Sequence, residues 1–157
     1  MKILLDRGSG INILYKDAFD KLNMDIRKLH PSQSPFHDII LGRRAMPLGT
    51  IDLFVTFGDA IHYRRETLSF EVVDFQGPYN AIFGRPCYAK FMVIPNYAYL
   101  KLKVLGLCCV IMMSGNFHNA YQCKRDDIEY AKANNLDSGA SSLPCLRLGK
   151  RLLSITP

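Results

Sequence analysis

The sequence predicts a mainly β protein, a small barrel or sandwich of short strands, and three observations carry that expectation. Ile51, Leu53, Val55 and Phe57 alternate with Thr50, Asp52, Phe54 and Thr56, the period-two pattern of a half-buried strand. Leu68, Phe70, Val72 and Phe75 repeat nearly the same alternation before Gln76-Gly77-Pro78. The remaining apolar runs are short and end at glycine or proline, as closely spaced turns require.

In chain order, Lys2 to Leu5 reads as a short strand that runs through Asp6 into the tight loop Arg7-Gly8-Ser9-Gly10. Ile13, Leu14, Ala18, Phe19 and Leu22 are spaced for an amphipathic helix over Asn12 to Leu22. Prolines 31 and 35 end that pattern. Phe36 to Leu41 and Ala45 to Gly49 read as two extended arms around the polar tip Gly42-Arg43-Arg44. After the two alternating strands, Ala81-Ile82-Phe83-Gly84 is an apolar run stopped by glycine. A short helix is expected over Arg85 to Phe91, with Pro86 in its first turn, where a missing N–H costs little. Tyr97 to Val104 and Cys108 to Met113 read as two final strands. A domain over 1–113 is therefore expected, with an extension over 114–157 that is loosely helical from Asn116 to Ala133 and disordered beyond.

Composition narrows the class. A 48% hydrophobic, 22% charged chain of 157 residues suits one globular domain and a tail. The net charge of +6 is spread over pairs such as Arg43-Arg44 and Lys124-Arg125, not a tract, so nucleic acid is not expected as a partner. The five cysteines form no C-x-x-C pair and no zinc-like spacing with the four histidines. Reduced thiols in a cytoplasmic or nuclear protein account for them, and no metal or cofactor is expected. His37, His62 and His118 lack the spacing of a metal site. Val104 to Met113 is too short for a bilayer, which takes roughly 20 residues, so no membrane partner is expected.

Three constellations could carry chemistry. Leu4-Leu5-Asp6-Arg7-Gly8-Ser9 places a carboxylate at a strand end, before a glycine loop whose N–H groups can lie near it. Each of the others, Ile82-Phe83-Gly84-Arg85 before a helix and the two-armed segment Phe36 to Phe57, is commonplace alone. An ordinary turn, a strand meeting a helix and a surface hairpin would read the same. Tyr79, Tyr88, Tyr97 and Tyr99 beside Lys90, Lys101 and Lys103 could stack bases, but strand packing explains the same tyrosines. Asp126, Asp127 and Glu129 read as a solvated acidic cluster.

Taken in order, Asp-x-Gly-Ser after an apolar strand, a glycine-tipped hairpin, then apolar-apolar-Gly-Arg before a helix resemble the retropepsin fold. From Leu4 through Tyr121, roughly three quarters of the chain, the sequence is similar to the aspartic protease region of plant gypsy-type LTR retrotransposon polyproteins. The blocks LLDRGSGINIL, PSQSPFHDIILGRRAMPLGTIDLFVTFGD, YRRETLSFEVVDFQGPYNAIFGRPCYAKFMVIPNYAYLKLK and FHNAYQC carry the resemblance, above all GRPCYAKF followed by PNYAYLKLK. The resemblance implies a small closed retropepsin-like barrel that supplies half an active site, with one short helix after the apolar-apolar-Gly motif. It implies an aspartic endopeptidase, acting on an extended peptide or polyprotein substrate as a homodimer. Asp6 would be catalytic. Gly8 would allow the tight loop and Ser9 would hydrogen-bond near the carboxylate. Ile40, Leu41, Gly42 and Arg43 would form a flap over the substrate, while Ile82, Phe83 and Gly84 would support the catalytic loop from below.

Two departures matter. The position after the catalytic Asp is usually Thr, Ser or Gly, and here it is Arg7, which cannot copy a small hydroxyl's bond between two catalytic loops. An Arg7 paired with Asp6 would oppose the shared proton that catalysis needs. Family members also carry strands before the catalytic Asp, whereas five residues precede Asp6 here, so an N-terminally truncated barrel with an unpaired edge is expected. Beside the active endopeptidase stands an alternative reading: an inactive remnant that acts at most as a dimerisation or peptide-binding module.

Overall fold

The computed structural model of the chain describes residues 1–32, 46–74, 77, 79–133, 145–146 and 153–156. Its strands are β1 (Ile3–Leu5), β2 (Ile13–Tyr15), β3 (Gly49–Gly58), β4 (Tyr63–Val73), β5 (Ala81–Phe83), β6 (Ile94–Asn96), β7 (Lys101–Leu105), β8 (Val110–Ser114), β9 (Cys145–Leu146) and β10 (Leu153–Thr156). The helices are α1 (Lys16–Lys21), α2 (Arg85–Phe91) and α3 (Phe117–Ala133), with a single 3-10 turn at Ile26–Lys28. The protein is thus mainly β, as the alternating pattern predicts.

Seven strands form one curled half-barrel sheet in the order β10-β3-β4-β2-β5-β1-β9, and β6-β7-β8 form a second, smaller one. Among the described residues the large sheet does not close on itself, since β10 and β9 are its two edges. The long β3–β4 hairpin is its backbone, paired without interruption from Gly49↔Val72 to Gly58↔Tyr63. Ile51, Leu53, Val55 and Phe57 of β3 face the core, as do Leu68, Phe70 and Val72 of β4. Phe75, expected to continue that alternation, lies outside the described residues.

Where the structure differs from the sequence reading, each difference has its own physical cause. Ile13, Leu14 and Tyr15 are all buried, so β2 lacks an alternating pattern and its residues imitate the start of a helix. The helix begins only at Lys16, and an i,i+4 ion pair between Lys16 and Asp20 at 2.7 Å supports it. The expected strand from Tyr97 starts instead at Lys101, because 97–100 form a turn in which Leu100 has φ of 48°. The preceding β6 contains Pro95, tolerated because β6 is an edge strand that owes no second row of hydrogen bonds. Within the extension, α3 is the expected helix. Cys145–Leu146 and Leu153–Thr156, where disorder was expected, are strands on the two edges, β9 against β1 and β10 against β3.

Both sheets bury one core, in which Leu102, Val104, Ile111 and Met113 of the small sheet meet the inner face of the large one. Phe57 lies at its centre, edge-on to Phe91 at 4.6 Å and to Phe83 at 6.1 Å between ring centroids. Truncating Phe57 to Ala removes a fully buried ring that joins β3, β5 and α2. It is expected to cost about 3–5 kcal/mol in chemical denaturation, and Phe57→Leu distinctly less.

The β3–β4 turn is held by Asp59. The backbone N–H groups of Ile61 and His62 donate to its Oδ1 at 2.8 and 2.7 Å. The strand before it ends at Gly58, whose φ of 119° and close approach to the His62 carbonyl exclude a side chain. Those two N–H groups, His62 first, hold the Asp59 carboxyl below its ordinary value of 3.8. A carboxyl with a folded pKa below its unfolded one stabilises the fold at pH values above the unfolded pKa, and that contribution fades as pH falls through the folded pKa. Carboxyl-carbon NMR is therefore expected to place Asp59 below 3.8, and Asp59→Asn to flatten the acid limb of the stability profile.

Candidate active site

Asp6 stands where β1 ends, and the ladder to β5 continues through it: its N–H donates to the Phe83 carbonyl at 2.9 Å. β5 lies between β1, to which it is parallel, and β2, to which it is antiparallel. The chain leaving β1 must therefore loop around the end of β5 before it returns as β2. Asp6 opens that loop, and Gly84, the residue after β5, sits inside it.

The loop is short and heavily bonded. Gly8 N–H donates to Asp6 Oδ1 at 2.7 Å, and Ser9 N–H donates to the Asp6 carbonyl at 3.3 Å. Arg85 N–H donates to the Ser9 carbonyl at 2.9 Å, tying the loop to the first turn of α2. The Ser9 hydroxyl, expected near the carboxylate, donates instead to the Ile11 carbonyl at 2.8 Å. Its part is to pin the loop, while the Gly8 amide meets the carboxylate.

Asn12 is the residue that the sequence reading missed. It is only 2% exposed, and its amide joins two other segments. Its Oδ1 accepts from Gly84 N–H at 3.0 Å, and its Nδ2 donates to the Ser69 carbonyl of β4 at 3.1 Å. Its own carbonyl accepts from Glu71 N–H at 3.0 Å. A single polar residue between Ile11 and Ile13 was the available signal, since a buried amide is retained only where its bonds are met.

Gly84 completes the arrangement. A Cβ there would overlap the Ile11 carbonyl oxygen and come within 2.8 Å of the Ser9 carbonyl. The other two support positions divide their work. Phe83 lies in the main core, whereas Ile82 faces the opposite side of the sheet with Leu4 and Ile13. Ile40, Leu41, Gly42 and Arg43, expected as a flap, lie outside the described residues.

The electrostatic setting is simple. Arg7 is exposed, and among the described residues no ion pair joins it to Asp6. Burial pushes the Tyr88 phenol well above its ordinary range, helped by its contact with the Tyr97 hydroxyl at 3.4 Å and by the negative charge of Asp6. Tyr88 is therefore a neutral neighbour of Asp6. Burial likewise raises the Cys87 thiol, which leaves it protonated and poorly nucleophilic. Among the described residues no cluster of three or more His, Cys, Asp or Glu is placed to hold a metal ion. No helix among them is long and apolar enough to cross a membrane. A shallow cavity of about 290 Å³ lies beside β4, lined by Thr67, Ser69, Glu71 and Lys90, and Asp6 does not border it.

Substituting Gly84 by Ala forces backbone apart on both sides and is expected to cost about 3 kcal/mol in chemical denaturation. Asn12→Ala leaves the buried Gly84 N–H and the part-buried Ser69 carbonyl without their partner and should cost about 1–3 kcal/mol. Combined, the two substitutions are expected to cost less than their sum, because they break the same junction. No protein-family model matches the chain, and no curated protein matches it.

Proposed function

We propose that this chain is one subunit of a retropepsin-like aspartic endopeptidase, with Asp6 as its catalytic carboxylate. The observation that carries the reading is the Asp6 loop. A carboxylate ends a strand, accepts a glycine N–H on one oxygen, and is braced by a second glycine at the end of the neighbouring parallel strand. The residues in these positions are those that the family resemblance marks for the same roles.

One such loop holds one carboxylate, so the reading requires a homodimer that brings two Asp6 side chains together. Carboxylates that close do not both ionise, and the pair shares a proton, as in aspartic proteases generally. The ionised partner takes a proton from a water molecule, which attacks the scissile carbonyl. The protonated partner donates to the developing oxyanion, and a proton then passes to the departing amine as the peptide bond breaks. The Gly8 amide keeps one carboxylate oxygen oriented through these transfers. Ile40, Leu41, Gly42 and Arg43 would close over an extended peptide of a polyprotein, in the cytoplasm or nucleus.

Arg7 favours a weakened form of this activity. It occupies the position beside the carboxylate where a small hydroxyl would link the two loops, and in a dimer two guanidinium groups would meet near the axis. The test is cleavage of an unbiased peptide mixture at mildly acidic pH. Slow cleavage by the parent chain is expected, none by Asp6→Asn, and a gain on the order of tenfold for Arg7→Thr. Undiminished cleavage by Asp6→Asn would contradict the assignment. A folded Arg7→Thr chain that cleaves nothing would leave a binding or dimerisation module.

A further inference from the structure

β4 is paired along its length on one side only. β3 follows it from Tyr63 to Val72, whereas β2, on its other side, reaches only Glu71, Val72 and Val73. Two bonds fix which backbone groups line the open stretch of that second edge. Glu71 N–H donates to the Asn12 carbonyl, and the Ser69 carbonyl accepts from Asn12 Nδ2. Backbone groups alternate along a strand, so those of Thr67 and Arg65 point the same way. Among the described residues, no group bonds Ser69 N–H, or the N–H and carbonyl of Thr67 and Arg65, from that side. All three residues are exposed.

This edge is one wall of the cavity of about 290 Å³, which Thr67 and Ser69 line together with Ile11, Asn12, Pro86 and Lys90. The facing wall is therefore α2. Hydrogen bonds hold the gap at both ends. At one end, Asn12 joins Ser69 to Gly84, the residue before α2. At the other, the Arg64 guanidinium of β4 donates to the Lys90 carbonyl at 2.7 Å. The gap is thus preformed. Lys90 is exposed, and among the described residues no carboxylate pairs with it.

We propose that this gap binds an extended, acidic peptide segment as an added strand on β4, parallel to it and in line with β2. The proposal does not rest on the function proposed above, since Asp6 does not border the cavity. In a parallel ladder, the peptide residue opposite Leu68 donates to the Thr67 carbonyl and accepts from Ser69 N–H. The residue two places earlier donates to the Arg65 carbonyl and accepts from Thr67 N–H. Those four groups are the open ones, and the added ladder stops where Asn12 already holds the Ser69 carbonyl. Strand addition of this kind draws its affinity from main-chain hydrogen bonds. Preference for an acidic segment comes from Lys90, at the end of the gap where the peptide begins, and from the net charge of +6.

The experiment uses the full chain and a capped hexapeptide of alternating Thr and Val with Glu at its N-terminus, followed by amide NMR. With saturating peptide, the Thr67 and Ser69 amides are expected to shift and to exchange roughly tenfold more slowly. N-methylating one alternate set of peptide residues removes the donors that face β4 and should weaken binding by roughly tenfold, while the other set leaves it unchanged. Lys90→Glu should weaken binding roughly threefold, and a peptide with Lys in place of its Glu should recover that loss. Equal binding by both N-methylated sets would overturn the strand site, as would binding that leaves the Thr67 and Ser69 amides unchanged. Absence of binding at millimolar peptide would overturn it too. Protection of the same two amides that rises with protein concentration and needs no peptide would give the edge to a second copy of the chain, and overturn the peptide as its occupant.

Discussion

The constraint on which the rest depends is the contact between Gly84 and the loop that follows β1. β5 threads between β1 and β2, so the end of β5 must pass beneath the 6–12 loop with no room for a side chain. Backbone lying that close leaves polar groups from three segments facing one another, buried at Gly84 and part-buried at Ser69. The Asn12 amide meets two of them, Gly84 N–H and the Ser69 carbonyl, and its backbone carbonyl meets a third. A buried polar network of this kind is stabilising only when every member is paired, and here no buried side-chain polar atom among the described residues lacks a partner.

From that junction the other features follow. Asp6 is the residue at which β1 leaves the sheet, so its position is inherited from the same crossing that places Gly84. α2 starts directly after Gly84 and carries Phe91 into the aromatic centre with Phe57. Two cores result, one on each side of β1, β2 and β5: a large one shared with the small sheet, and a smaller one beneath α3.

How legible this was in the sequence depended on how each element is buried. The β3–β4 hairpin was readable because one face meets the core and the other meets water, so Ile51 to Phe57 alternate cleanly. β2 was read as part of a helix because Ile13, Leu14 and Tyr15 are all buried and carry no alternation. β9 and β10 were missed because Cys145–Leu146 and Leu153–Thr156 are short edge strands, defined by their partners more than by their own residues. At the site, Asp6, Gly8 and Gly84 are singled out by the family resemblance, since each local motif taken alone reads as an ordinary turn or strand end. The Ser9 hydroxyl was assigned to the carboxylate, although its nearer partner is the Ile11 carbonyl. Asn12 escaped because its partners, Ser69 and Gly84, are far away in sequence, and a long-range hydrogen bond leaves no periodic trace.

The most direct measurement is native-state hydrogen exchange of two amides, Gly84 and Arg85, which donate to Asn12 Oδ1 and to the Ser9 carbonyl. If the crossing is the constraint that organises the fold, both should exchange only through global unfolding, with the same opening free energy and denaturant dependence as core amides of β3 and β4. Fast exchange of Gly84 and Arg85 while β3 and β4 stay protected would show that the loop opens on its own, and would contradict the account.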